Sequence, residues 1–331
     1  MVDAPGTGTF RLWSDEVEAM RPEARAAVDA GLLTLPPMGA VGLERDERVA
    51  KERAQMEAMV VRVPEAQDTE IAGVRCRVIR PEGEPRGVYL HFHGGGMVTG
   101  LPDMMDVPNR DIARTFGLVV VSANYRKAPE HPWPAGPDDG EAVANWLLEH
   151  ATDEFGTSTL LIGGESAGGY MTAAVALRLR DTGDIGGVSG LNLVYGVYDF
   201  GRSPSQRGLR ATDGPDLLDP EQIAFITECY LPGRTDDERR SPEISPAFAD
   251  LHGLPPSFFS VGTCDHLVDD TLLMASRATA AGVDVELFVA PEMPHAMQVF
   301  PCSLMKLWDE RLAAWFEARL TRPPPVGSAR R

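Results

Sequence analysis

From about residue 68 to residue 320 the chain alternates short apolar runs with helical ones, and this rhythm restricts the fold more than any other feature. EIAGVRCRVIR, GVYLHFH, LVVVSANYR, TLLIGGE, GVSGLNLVYGV, SFFSVGTCD and VDVELFVAPE read as strands. Helices are expected over 137–149, 166–180, 269–281 and 303–320. Strands apolar on both faces, alternating with helices, require a mostly parallel sheet covered on both sides. The first two runs are closely spaced and are expected to be antiparallel.

Two segments break the rhythm. Residues 1–65 are charged and helical: from Pro22, PEARAAVDAG sets Ala24, Ala27 and Val28 on one face, and 44–60 reads as a second amphipathic helix. Residues 201–246 are rich in Gly, Pro, Ser and charge, with one helical patch at 220–231. Both are too polar to join the sheet and are expected to build one helical cap over the active face. The catalytic core then comprises 66–200 and 247–321, and the tail 322–331 is expected to be disordered. In open sheets of this kind, ligands bind beyond the carboxyl ends of the strands, so chemistry is sought there.

Composition narrows the function. Lys and Arg number 31 against 49 Asp and Glu, a net charge of −18 that repels nucleic acid and anionic membranes. No apolar run approaches the ~18–20 residues of a membrane span, and the start lacks the pattern of a signal peptide. Cys76, Cys229, Cys264 and Cys302 are scattered, which suits thiols in a reducing cytoplasm better than a disulfide framework.

The strand TLLIGG runs into 164-GESAG-168 and then an Ala-rich helix. G-x-S-x-G between a strand and a helix is a sharp corner that exposes a serine hydroxyl, here that of Ser166. Outside that context the same pattern is only a serine N-cap. A serine needs a base, and the base needs a carboxylate to orient it. Where the nucleophile sits on such a corner, the partners follow in the order acid, then histidine. His295 lies between the strand VELFV and the last helix, where the base belongs. His252 precedes a strand, at the wrong end of the sheet, and His266 directly follows an acid. Asp265 ends the strand SFFSVGTCD and is the candidate acid, with Asp269 its main rival and Asp270 a helix-start charge.

The stretch 91-HFHGGGMVTG-100 ends another strand. Its glycines allow close backbone approach, and Gly94 and Gly95 are expected to point N–H groups at an oxyanion, together with Ala167 after the serine. His91 and His93 could share a face as metal ligands, but no further Cys, His or Asp cluster has ligand spacing, so no metal is expected. A phosphate loop would need G-x-G-x-x-G or a following Lys, and neither is present.

With HGGGMVTG, 125-YRKAPEHPWPAGPDD-139, GESAGG, 262-GTCDHLVDD-270 and PHAM in this order, the chain resembles the hormone-sensitive-lipase-like bacterial carboxylesterases of the α/β-hydrolase fold. The likeness runs from about Pro22 to the last helix. It implies an eight-stranded, mostly parallel sheet flanked by helices and carrying a helical cap. It also implies a Ser166–Asp265–His295 triad, oxyanion donors at Gly94, Gly95 and Ala167, short- to medium-chain acyl esters as substrates, and no cofactor. The chain departs from the family pattern at Met97, where an aromatic often follows HGGG, at Glu165 in place of Asp, and at His266 in place of Pro. Met97 and the cap residues Phe225, Ile226 and Tyr230 are the candidate pocket residues. An amidase or deacetylase would use the same triad, and a non-catalytic receptor would use the same scaffold without the histidine. The edge strand VELFV could pair with its copy in a homodimer.

Overall fold

The computed structural model describes residues 11–33, 42–209 and 217–321. The tail expected to be disordered lies outside them. Eight strands form one sheet: β1 (Gln67–Ile71), β2 (Val74–Ile79), β3 (Gly87–Phe92), β4 (Leu118–Ala123), β5 (Leu160–Glu165), β6 (Val188–Val194), β7 (Ser257–Gly262) and β8 (Val285–Ala290). Their order is β1-β2-β4-β3-β5-β6-β7-β8, and β3 to β8 pair in parallel fashion.

The run EIAGVRCRVIR holds two strands where one was expected. Ile71 pairs with Val74 across the two-residue turn Ala72–Gly73, whose φ values are 52° and 79°. Both central residues at positive φ is the turn that matches hairpin twist. Nor are the first two runs neighbours: β2 pairs antiparallel with β4, which lies between β2 and β3. β1, whose QDTE is exposed, closes one edge and β8 the other.

Side-chain alternation splits the core into two layers. Val88, Leu90 and Phe92 of β3, with Val119, Val121 and Ala123 of β4, face α5 (Ala135–Phe155), α6 (Ala167–Thr182) and α9 (Val268–Ala280). Tyr89, Leu118 and Val120 face α4 (Asp106–Phe116) and α10 (Ser303–Leu320) on the other side. The pattern does not announce α4, because its buried face includes Asp106 and Asn109 beside Ala113 and Phe116. Asp106 is spent on Arg77 and on the N–H of Val63. α5 runs past its expected end to Gly156, which caps it at φ 75°.

The two polar segments meet through α3 (Arg45–Ala58) and α7 (Pro220–Tyr230). Arg48 lies over the Phe225 ring at 3.9 Å and hydrogen-bonds Glu52 and Gln222, while Gln222 also reaches Glu52. The earlier helices α1 (Asp15–Ala19) and α2 (Arg21–Leu32) go elsewhere. Val17, Ala24 and Val28 join one apolar cluster with Phe300, just before α10, and Leu304 in its first turn, and Arg21 and Arg25 pair with Glu292. The short helix α8 (Asp236–Arg239) is held by a capping box between Thr235 and Glu238.

Candidate active site

β5 delivers Ser166 at φ 57° and ψ −117°, a conformation an L-residue holds only when its surroundings force it. The forcing is visible at the flanking glycines. A Cβ on Gly168 would lie 1.8 Å from the carbonyl oxygen of Phe92, and one on Gly164 would lie 2.2 Å from the same atom. β3 therefore presses against the corner, and only glycine permits it. The Ser166 N–H donates to Val194 O at 2.9 Å, which fixes the corner to β6 as well.

His295 arrives from the loop after β8, with Nε2 2.9 Å from Ser166 Oγ. Its Nδ1 is 2.8 Å from Oδ2 of Asp265, which follows β7 and is 1% exposed. A carboxylate oxygen only accepts, so Nδ1 carries the proton and Nε2 turns a lone pair toward the serine. The other Asp265 oxygen accepts the Leu267 N–H at 2.8 Å. The Tyr195 ring packs edge-to-face with the imidazole, its centroid 4.8 Å away, and the Tyr195 hydroxyl donates to Gln298 Oε1 at 2.7 Å.

The rivals for base and acid are occupied elsewhere. His252 is exposed beside Asp250, and His266 Nδ1 donates to Ser205 O at 2.6 Å. Asp269 accepts the Ser205 N–H. Asp270 accepts the N–H groups of Tyr198 and Asp199, the Ser203 hydroxyl and the Gln206 amide, all donors from the segment that leaves β6.

The glycine loop runs alongside the serine, and the position of a Cβ on Gly94 is 3.5 Å from Ser166 Cβ. One expectation fails here. The Gly94 N–H donates to Glu165 Oε1 at 2.9 Å, so it is already committed. Glu165 Oε2 meets His91 Nε2 at 3.0 Å, and His91 Nδ1 meets the Ser122 hydroxyl at 2.8 Å. The acid beside Ser166 thus ties the glycine loop to the serine corner and, through His91, to β4. No acceptor among the described residues takes the N–H of Gly95, Gly96 or Ala167. Gly95, at φ 119°, has no room for a side chain, since a Cβ would lie 2.5 Å from Thr99 O.

Both histidines of the stretch are held by the protein. His93 is 1% exposed, stacks on Tyr125 at 4.5 Å and donates from Nδ1 to Gly94 O at 2.7 Å. Burial holds its pKa well below the usual histidine value, so the ring is neutral. Among the described residues no group of three or more His, Cys, Asp or Glu is arranged to hold a metal.

The candidate pocket residues divide. Ile226 lies directly over the loop, where a Cβ on Gly96 would come within 2.6 Å of its Cδ1. Phe225 is half-buried under Arg48. Tyr230 is 1% exposed and meets the Tyr170 hydroxyl at 3.2 Å with its own. Met97 is also 1% exposed, sits at φ 58° in the main core, and accepts the Ala128 N–H with its carbonyl. Tyr230 and Met97 are core residues in this structure and present no surface to a ligand.

Comparison with known proteins agrees with this architecture. A family model described as the alpha/beta hydrolase fold matches residues 89–299. Carboxylesterase NlhH of Mycobacterium tuberculosis is 37% identical over 63% of this chain and 65% of its own length. The chain therefore spans a little under two thirds of that relative. Carboxylic ester hydrolase LipN of the same organism is 34% identical over 78% of this chain and 72% of its own. A hormone-sensitive lipase from a metagenome library superposes with a TM-score of 0.73 at 29% identity, covering 93% of this chain and 98% of that one. With an eight-stranded sheet in this order and these relatives, the chain belongs to the α/β-hydrolase fold family, in its hormone-sensitive-lipase-like bacterial esterase branch.

Proposed function

We propose that the chain is a serine carboxylesterase acting on short- to medium-chain acyl esters through an acyl-enzyme. The observation that supports this best is the unbroken line from Ser166 Oγ through His295 to Asp265, at 2.9 and 2.8 Å. His295 Nε2 takes the hydroxyl proton as Oγ attacks the ester carbonyl, and Asp265 stabilises the imidazolium that forms. The tetrahedral oxyanion is received by the N–H groups of Ala167 and Gly95, with Gly96 beside them, and Gly94 holds the loop in place. Ala167 opens α6, where its amide has no helical partner and the helix dipole favours an anion. His295 returns the proton to the departing alcohol, and water, activated in the same way, releases the acid.

α3 and α7 form the lid over this face in the proposal, with Ile226 bounding the pocket beside the oxyanion loop. The ligand is a small neutral ester, and no cofactor enters the reaction. All four cysteines are buried, and no described helix is long and apolar enough to cross a membrane, so we place the protein in the cytoplasm. β8, paired only to β7, is the edge we propose for a second copy, and sedimentation of wild type against a charged β8 variant tests it.

A panel of p-nitrophenyl esters of increasing chain length, beside the matching anilides, tests the function. Ester hydrolysis that falls by at least about 10³-fold in Ser166→Ala is expected. Undiminished hydrolysis in that variant refutes the mechanism, and faster turnover of the anilides converts the assignment to an amidase.

A further inference from the structure

Beside the end of the glycine loop lies an open surface cavity of about 410 Å³ that the proposed chemistry does not use. Its walls come from α3 (Arg53, Ala54), the start of β2 (Arg75), the end of the glycine loop (Gly100, Leu101) and the chain leaving β4 (Asn124, Lys127). It opens at the carboxyl end of β4, on the side of the sheet edge where this class of fold binds ligands.

The ion pairs around the cavity leave one cation without a direct carboxylate. Arg53 forms a two-pronged pair with Glu130, at 2.7 Å on each arm, and Arg75 forms another with Asp103 at 2.9 and 3.1 Å and also meets Asp68 at 2.7 Å. At the mouth, Glu57 is taken by Arg62. Lys127 is different. Its ammonium reaches the Asn124 side-chain oxygen at 2.9 Å and the Tyr125 carbonyl at 3.3 Å, and lies over the Tyr125 ring at 5.7 Å. Among the described residues no carboxylate comes within ion-pair distance of it.

We propose that this cavity is a second, non-catalytic site that binds a small monocarboxylate, its charged end on Lys127 and its apolar end against Leu101 and Ala54. One cation without a direct carboxylate suits one negative charge; the two guanidiniums already hold carboxylates of their own, and a dianion would leave surplus charge in a protein of net −18. Burial, with Arg53 and Arg75 nearby, pulls the Lys127 ammonium down to about 8, a penalty a bound carboxylate relieves. The walls are prepared in advance. Arg53 is also fixed by the carbonyls of Val98 and Ala128, at 2.9 and 2.8 Å, so little side-chain order is lost on binding. The occupant is of the chemical class that ester hydrolysis releases, but the site stands on its own side chains and does not depend on that reaction.

Sodium butyrate, with butyramide as the uncharged control, is titrated into wild type, Ser166→Ala, Lys127→Met and Ala54→Glu by calorimetry. Saturable butyrate binding is expected in wild type and, unchanged, in Ser166→Ala, with butyramide bound at least about ten-fold more weakly. Lys127→Met is expected to weaken butyrate about ten-fold. Ala54→Glu sets a negative charge at an exposed helical position on the mouth, and is expected to weaken it several-fold without burdening the fold. Should Lys127→Met fail to fold, Ala54→Glu carries the test. The proposal is overturned if butyrate does not bind, if its affinity is unmoved by the variants that fold, or if binding disappears in Ser166→Ala. Inorganic phosphate binding more tightly than butyrate overturns the monocarboxylate assignment.

Discussion

Removing the Glu165 carboxylate tests whether the glycine loop is aimed by the residue beside the nucleophile. The side chain is 15% exposed and accepts from two groups, the Gly94 N–H at 2.9 Å and His91 Nε2 at 3.0 Å. Hydrogen bonds to a charged acceptor contribute about 1.5–3 kcal/mol each, so Glu165→Ala is expected to lose about 3 kcal/mol or more of stability. The catalytic cost follows from position. Gly94 is one peptide from Gly95, and losing one oxyanion donor outright costs about 10²–10³ in kcat. A loop that is loosened but still present should forfeit part of that, about 10- to 100-fold in kcat. The substrate ground state does not depend on the oxyanion donors in the same way, so KM should move less than about three-fold. Glu165→Gln keeps an oxygen for Gly94 but turns an amide N–H₂ toward His91, which must then change tautomer, and an intermediate loss is expected. The assay is p-nitrophenyl acetate hydrolysis at saturating substrate, with thermal unfolding to confirm that the variants are folded at the assay temperature. Wild-type kcat in a folded Glu165→Ala would refute the reasoning, and so would a rise in KM alone.

Three further outcomes follow from the same geometry. Gly168→Ala drives a methyl into the Phe92 carbonyl and should cost at least about 4 kcal/mol or yield no soluble protein, whereas Gly156→Ala, where a Cβ meets nothing within 4 Å, should be far milder despite its φ of 75°. Burial pushes the Asp270 carboxyl up to about 7, above its ordinary 3.8, so folding takes up a proton between those values. Its contribution to stability is therefore complete below about pH 4 and declines as pH rises to 7; Asp270→Asn should flatten that slope in urea midpoints, and parallel curves would show that the carboxyl stays ionised. Ile226→Ala opens space above Gly96 and should raise kcat/KM for longer acyl esters relative to acetate, and an unchanged chain-length profile would remove Ile226 from the pocket.

What the sequence makes legible follows from the range of the interactions involved. Ser166, Asp265 and His295 each sit where a strand ends, and strand ends are read from local periodicity, so the three could be brought together without coordinates. The hairpin inside EIAGVRCRVIR was hidden because Ala72–Gly73 is a turn with only one glycine, and α4 because it buries Asp106 and Asn109 where a helix usually buries apolar residues. Met97 and Tyr230 look like pocket residues by position, but burial is decided by what comes to lie over them, and here both are enclosed.

The glycine loop shows the limit most sharply. Three successive glycines offer three equivalent amides, and nothing within HGGG ranks them. What separates them is an acceptor 71 residues away, Glu165 Oε1, which takes the first amide and leaves the next ones without a protein acceptor, as the proposed oxyanion role requires. The acid at this position therefore does more than fill the corner before the serine. Its reach to the loop leaving β3 sets, in the proposed mechanism, which peptide faces the reacting carbonyl. An Asp, one methylene shorter, could bridge Gly94 and His91 only if the loop moved closer to the corner. Replacing Glu165 by Asp should thus leave the triad distances intact and shift the donors, lowering kcat without removing the charge; a fully active Glu165→Asp would show that the loop finds its place by packing under Ile226 instead.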